Sequence, residues 1–404
     1  MTVARTLARS DRALMALVVL FVAGSALVAH SGGSVAPFVV SAVAVAVLAA
    51  LVSRSVDHLA ERLGAGATGV LQSALGNLPE LFISLFALRA GLTGVVTAAI
   101  IGSILANLLL VLGLSFAVGS ARHGPLLFSA PRARMIMTLM LLAVAGMLVP
   151  SLAQFVHSPA GGHEAGLSRI TAVVLLVVFV LSIPASLRRG GPQAADGQAP
   201  DVPGAARAPD EIAAGPGQVG AGPGQVAAGA PDKGARPVRT GPGQPDRATT
   251  GRWPLWLAVA MLAVTGVLSA YVSDLFVNAL QPAIHALNIS QAFAGLVIVA
   301  IAGNAVENAV GIKLAWQNQP DHALSVVLNS PLQIALVLAP VLVLLAPLVG
   351  PTAFTMVFSP LLVTTVAVGT VVVSFLIYDG TSDLVEGMAM VGLYTLIAAA
   401  FWWG

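Results

Sequence analysis

No cysteine occurs among the 404 residues. Disulfides, thiolate metal sites and thiol catalysis are therefore excluded, while the redox compartment is left open. Charge is almost as scarce. Asp, Glu, Lys and Arg together make up 9% of the chain, against roughly 25% in a soluble domain. So few ionic groups cannot cover a globular surface. The basic residues are scattered and form no stripe with interleaved aromatics, which argues against nucleic acid as a partner. There is no Ser/His/Asp set, phosphate-binding glycine loop or H-E-x-x-H pattern, so nothing points to an enzyme or to a cofactor. The ten-residue alternation of a membrane β-barrel is also missing.

What is present is apolar sequence, 57% of the chain, gathered into runs long enough to span hydrocarbon. Loop signals divide these runs into eleven candidate transmembrane helices at 13–30, 36–53, 66–89, 95–119, 133–156, 168–187, 253–274, 290–315, 322–349, 354–377 and 383–403. The first, preceded by Arg5, Arg9 and Arg12, has the outline of a secretory signal. Its length, and the lack of a small-x-small cleavage site, read instead as a retained helix. With the N-terminus placed in the cytoplasm, Arg54, Arg62, Arg122, Arg132, Arg134, Arg188, Arg189, Arg252 and Lys313 all fall inside; only Arg89 and Arg169 fall near the outer ends. This asymmetry sets the orientation and puts the C-terminus outside. Trp253, Trp256, Trp402 and Trp403 stand at span ends and read as interfacial anchors in the lipid bilayer.

Residues 190–250 differ in kind. They are rich in Gly, Pro, Ala and Gln, with short repeats such as Gly215-Pro216-Gly217-Gln218 and Gly222-Pro223-Gly224-Gln225. Such a segment buries too little apolar surface to offset its ordering entropy. It reads as a disordered cytoplasmic linker. The chain then divides into 1–34 (tail and leading helix), 35–189 (five spans), the linker, and 251–404 (five spans). Because five is odd, the two sets enter the membrane from opposite sides, which is the inverted-repeat plan of many secondary transporters.

A motif supports that division. Gly76-Asn77-Leu78-Pro79-Glu80 and Gly303-Asn304-Ala305-Val306-Glu307 are both G-N-x-x-E, each in the second span of a set, 227 positions apart. The next span keeps the offset, with Ser103-Ile104-Leu105 matching Ser330-Pro331-Leu332. Charged residues otherwise avoid the spans, since a carboxylate near the bilayer centre costs about 2.5–3.5 kcal/mol even on lenient scales. On helices, Ser73, Asn77, Glu80 and Ser84 share one face, and so do Asn304, Glu307 and Gly311. Gly76, Pro79 and Gly303 weaken the helix beside each acid and permit a local break.

The chemistry available at such a site is oxygen: two carboxylates, the amides of Asn77, Asn304 and Gln333, and the hydroxyls of Ser103 and Ser330. With no thiol, and no histidine near the centre of a span, the donor set suits a hard cation. Ca2+ accepts about 6–8 oxygens in flexible geometry, whereas Mg2+ holds its water. Two carboxylates neutralise one divalent ion; without it they repel one another and take up protons. Occupancy by a divalent ion or by protons, each excluding the other, is antiport in chemical form. A glutamate pair that merely joins helices is the structural alternative, and the repeat disfavours it.

At these residues the sequence resembles the calcium/proton exchanger family of the calcium/cation antiporter superfamily. The resemblance runs from His58-Leu59-Ala60-Glu61 through the first motif to Gly102–Gly113, then from Asp274 through the second motif to Leu332-Gln333-Ile334-Ala335 and on to Glu386-Gly387. It implies a ten-helix inverted-repeat core after one extra helix, and exchange of Ca2+ for H+ by alternating access. It further implies Glu80 and Glu307 as carriers of both ions, supported by Asn77 and Asn304, with Ser103, Ser330 and Gln333 as further cation ligands. Gln72, Glu61 and Asn107 are candidates for lining or gating the path. This chain departs from the family in having Ala106 where Ser is frequent, Asn308 where His often follows the glutamate, Pro331 in place of a second Ser, and the linker in place of an acidic helix.

The seven histidines fall in loops or near span ends and read as solvated. Asp274 and Glu386 are placed near span ends and read as snorkelling to water. Na+/Ca2+ exchange, Mn2+/H+ exchange, a cation channel and a non-transporting scaffold remain the competing functions. Alanine-rich composition with arginine over lysine suggests a GC-rich bacterial genome, and hence the plasma membrane.

Overall fold

The computed structural model describes residues 8–29, 33–63, 75–189, 253–349 and 353–403, with the side chains of 60–63 and 183–189 left aside. Residues 1–189 and 251–404 form one unit and 190–250 a second. The expected linker, Gln72, Ser73 and the first half of the third expected span lie outside the described residues.

Among its described residues the first unit is helical apart from its connections and one pair of two-residue strands. Its helices are α1 (Arg9–Val28), α2 (Val35–Leu63), α3 (Leu78–Arg89), α4 (Thr93–His123), α5 (Ala130–Phe155) and α6 (Glu164–Arg189), then α7 (Leu255–Leu287), α8 (Gln291–Gly303), α9 (Ala305–Trp316), α10 (Pro320–Val349), α11 (Pro360–Leu376) and α12 (Leu384–Trp402). Among the described residues, eight helices are long and apolar enough to cross a membrane; counting the bent pair α8 and α9 as one span gives a ninth.

The helices depart from the expected spans at several ends: α2 runs ten residues past 53 and α11 starts six residues after 354. The seventh continues thirteen residues beyond its expected end at 274. At 33 residues, α7 is about 50 Å long, against about 30 Å of hydrocarbon. Asp274, expected near a span end, therefore sits inside the helix, where Asn278 Nδ2 donates to its carboxylate at 3.2 Å. Helical hydrogen bonding does not stop where the sequence turns polar. The eighth span is broken, with α8 and α9 meeting at 65°.

Packing is centred on α4, whose apolar window is 89% buried, whereas those of α1 and α6 are only 17% and 22% buried. Large apolar side chains on these outer helices, such as Leu27 and Ile170, are exposed, as expected of a face that meets lipid. Glycines let α4 and α8 cross in contact. A Cβ on Gly102 would strike the Leu296 backbone, and one on Gly295 would strike the Val95 carbonyl.

Backbone details recur at the offset of the sequence repeat. Helices α3 and α9 are each 12 residues long, and both ends of α9 lie 227 positions after those of α3. The same offset separates the starts of α4 and α10, at Thr93 and Pro320. It also separates the left-handed turn residues before them, Gly91 at φ 77° and Asn318 at φ 58°. Glycine and asparagine are the residues that tolerate this conformation. A π-helical turn follows Ser103 at Ala106–Val111 and follows Ser330 at Ile334–Leu338.

The connections gather as an alternating set of spans requires. Strand β1 (Leu126–Leu127) pairs antiparallel with β2 (Thr381–Ser382). Ser129 N–H donates to Asp321 at 2.8 Å, and His123 Nε2 lies 2.9 Å from the Trp316 carbonyl. Three connections expected inside thus meet. Elsewhere, Ser290 holds the carbonyls of Phe401 and Trp402. Ser151 and Ser168 bond the Met356 and Phe358 backbone.

One expected anchor is something else. Trp253 is fully buried rather than interfacial. Its Nε1 donates to Asp11 at 3.1 Å and its ring stacks on His58 at 4.5 Å. Asp11 also accepts from Arg54 at 3.1 Å. This cluster ties the starts of α1 and α7 to α2, which is why an indole at a span end is drawn inward. It also gives His58 an aromatic partner instead of a solvated place. Trp256, Trp402 and Trp403 are exposed.

Candidate functional site

The two G-N-x-x-E motifs fold the same way. Gly76 and Asn77 form a turn before α3, and Asn304 forms the turn between α8 and α9. The asparagines have nearly identical backbones, φ −96°, ψ 21° at Asn77 and φ −97°, ψ 16° at Asn304. Each turn starts a new helix whose first turn carries the glutamate. A helix start favours negative charge, because its free N–H groups point outward there. The helix breaks expected from Gly76, Pro79 and Gly303 therefore exist, and they place each acid at the positive end of a short helix inside the bundle.

The two motifs are brought together. Glu80 is buried and Glu307 half-buried. Glu80 lies along the opposite motif: a Cβ on Gly303 would stand 2.6 Å from Glu80 Cγ and 3.1 Å from its Cδ and Oε1. Glu80 Oε1 is buried and has no hydrogen-bond partner among the described residues. A cavity nearby is lined by Glu80, Ser84, Ala99, Ile100, Ser103, Val299 and Leu338. That cavity has about 10 Å³ for the centre of a water-sized particle, room for a single water or a stripped ion but not for a hydrated cation.

Asn304 joins the two halves of the site. Its Nδ2 donates to Ser103 Oγ at 3.1 Å and to the Ala300 carbonyl at 3.0 Å, and its Oδ1 accepts from Ser330 Oγ at 2.8 Å. All three side chains are buried. Asn77 is buried as well, and Asn107 Nδ2 donates to the Ser103 carbonyl at 2.8 Å. Gln333 is only half-buried. Gln72 and the side chain of Glu61 lie outside the described residues. Among the described residues no group of three His, Cys, Asp or Glu side chains is placed to hold a metal, so the acidic part of this site is the glutamate pair.

Ser84 lines the cavity although it is not among the candidate ligands; its place on the Asn77–Glu80 face is the signal that finds it. The seat that Gly303 provides for Glu80 has no such signal, because it depends on how the halves dock.

The sodium/calcium exchanger protein family matches residues 33–187 and 257–403, on both sides of the expected linker. A Ca2+/H+ antiporter of Synechocystis sp. is 30% identical over 373 residues, covering 91% of each chain. The Ca2+/H+ antiporter ChaA of Bacillus subtilis is 29% identical over 368 residues, covering 90% of this chain and 91% of its own. The crystal structure of the Ca2+/H+ antiporter YfkE superposes with a TM-score of 0.71 at 26% identity, over 97% of this chain and 99% of that one. The matched segments contain both G-N-x-x-E turns and the helices that hold them, and the chain belongs to the sodium/calcium exchanger protein family, a family of ion transporters rather than enzymes.

Proposed function

We propose that this protein exchanges Ca2+ for H+ across a membrane by alternating access, with Glu80 and Glu307 binding Ca2+ or protons in turn. The observation that carries this reading is the meeting of the two motifs: Glu80 lies on Gly303, four residues before Glu307. Two carboxylates sharing an intramembrane site do not both stay ionised without a cation, so metal and protons compete. Asn77, Asn304, Ser103, Ser330 and Gln333 supply further oxygens, as a cation needing about 6–8 of them requires. The names of the similar antiporters agree with this ion pair.

The architecture in this proposal is eleven transmembrane helices: a leading helix within 1–34, five spans in 35–189 and five inverted spans in 251–404, joined by the linker at 190–250. The backbone features repeating at one offset, and the sorting of the connections into sets that meet, support it. The N-terminus is cytoplasmic, the C-terminus outside, and the membrane the plasma membrane of a bacterium.

The test is uptake of radiolabelled Ca2+ into proteoliposomes with a pH gradient as the only drive. Uptake that collapses when the gradient is dissipated supports the proposal. Uptake driven by a Na+ gradient and indifferent to pH makes the protein a Na+/Ca2+ exchanger. Uptake indifferent to both gradients makes it a channel.

A further inference from the structure

We infer that the interface between α4 and α9 holds a file of buried water that carries protons, and not Ca2+, between the glutamates and the end of the molecule where His123 meets Trp316. The inference rests on the exchange reading above and adds a route to it. The two helices are joined at the site by the Asn304–Ser103 hydrogen bond. Beyond that bond, three buried oxygens have no partner among the described residues: Asn107 Oδ1, Asn308 Oδ1 and Ser115 Oγ.

These three oxygens belong to one seam. Asn107, Val111 and Ser115 follow one another at helical spacing on α4, and Asn308 and Gly311 do so on α9, just past the turn residue Asn304. The faces touch, since a Cβ on Gly311 would stand 3.8 Å from both Ser115 Oγ and Val111 Cγ1. The seam continues past Gly119, 3.2 Å from the Ala315 carbonyl by the same construction. It ends at the exposed contact of His123 with the Trp316 carbonyl.

An unpaired oxygen in a low-dielectric interior is expensive. Three on two helix faces that touch, both leading away from the motif glutamates, call for water, which bonds to about three otherwise unsatisfied groups. Polar groups held inside a membrane bundle mark ion paths and proton relays. Here the packing decides which. Gly311 is closed by Val327 of α10 on one side and lies close against Ser115 and Val111 of α4 on the other, so the seam has room for nothing larger than single waters. It has no room for Ca2+ with its shell of about 6–8 oxygens. Protons can pass along such a file; the metal must reach the glutamates another way.

The experiment compares two modes of the full-length protein in proteoliposomes: Ca2+ uptake driven by a pH gradient, and exchange of internal for external Ca2+ with no gradient. The second mode needs the site and its alternation but moves no proton. Asn308→Leu and Ser115→Ala each remove one oxygen outside the ion-binding set. The expected result is a fall of about tenfold in proton-driven uptake for Asn308→Leu, a smaller fall for Ser115→Ala, Ca2+/Ca2+ exchange unchanged in both, and proton-driven uptake retained in Asn308→Ser. If Asn308→Leu fails to fold, Ser115→Ala decides, because it alters one atom. The inference is overturned if the two modes fall together or if neither changes. Failure of the wild type to couple Ca2+ to protons would instead overturn the exchange reading itself, and is visible before any variant is made.

Discussion

Glu80 packs its side chain on Gly303, the first residue of the opposite motif, so that a single added methyl group there would stand 2.6 Å from Glu80 Cγ. Gly303→Ala should therefore displace the carboxylate or push the two halves apart. Overpacking of this kind costs about 1–3 kcal/mol, and exchange should fall with it. Gly266→Ala is the control. Nothing stands within 4 Å of a Cβ at that position, and alanine in a helix interior should gain about 0.5–1 kcal/mol over glycine. Thermal unfolding in detergent and Ca2+ uptake on both variants check the pair.

Asn304 gives an ordered prediction for the two serines it bridges. Ser330→Ala removes the hydroxyl that donates to Asn304 Oδ1 and leaves a buried acceptor unpaired, at about 1–3 kcal/mol. Ser103→Ala is milder, because Asn304 Nδ2 keeps its bond to the Ala300 carbonyl. Unfolding midpoints of the two variants should fall in that order.

A third prediction concerns the leading helix. Asp11 accepts from both Arg54 and Trp253. Asp11→Ala removes the carboxylate that the buried Trp253 N–H donates to and should cost about 1–3 kcal/mol. Arg54 is 44% exposed, so Arg54→Ala should cost only about 0–1 kcal/mol. Both variants should retain exchange, since the cluster binds α1 and α7 to α2 and touches no part of the glutamate site. Denaturation curves and flux on the same preparations test this.

Much of this was legible because membrane solvation is strict. The scarcity of charge made each intramembrane acid conspicuous, and the repeated G-N-x-x-E located both Glu80 and Glu307. Expecting a break at Gly76, Pro79 and Gly303 was equally safe, since those residues hold a helix poorly. Features set by docking were not legible. The seat of Glu80 on Gly303, the crossing of Gly102 against Leu296, and Asn304 bonding two serines from different halves depend on distances between segments far apart in the chain. The run of α7 past Asp274 was not legible either, because helix ends are set by backbone bonding and not by the edge of the apolar run. Trp253 misled for a related reason: a ring at a span end anchors in lipid unless a buried carboxylate such as Asp11 claims its N–H.

Orientation has a direct test, and the absence of cysteine makes it clean. Ala160 lies in the short helical turn Pro159–His163 between α5 and α6, and Gln317 lies between α9 and α10; both are exposed. In right-side-out vesicles, a membrane-impermeant thiol reagent should label Ala160→Cys and leave Gln317→Cys untouched until the membrane is opened. The reverse pattern would invert the proposed topology.

The most direct measurement is radiolabelled Ca2+ uptake driven by a pH gradient, in wild type, Glu80→Gln and Glu307→Gln, with membrane insertion checked alongside. The account predicts that each variant inserts normally and loses exchange, because a neutral amide can neither balance the metal nor carry a proton. Undiminished proton-driven uptake in either variant would contradict it.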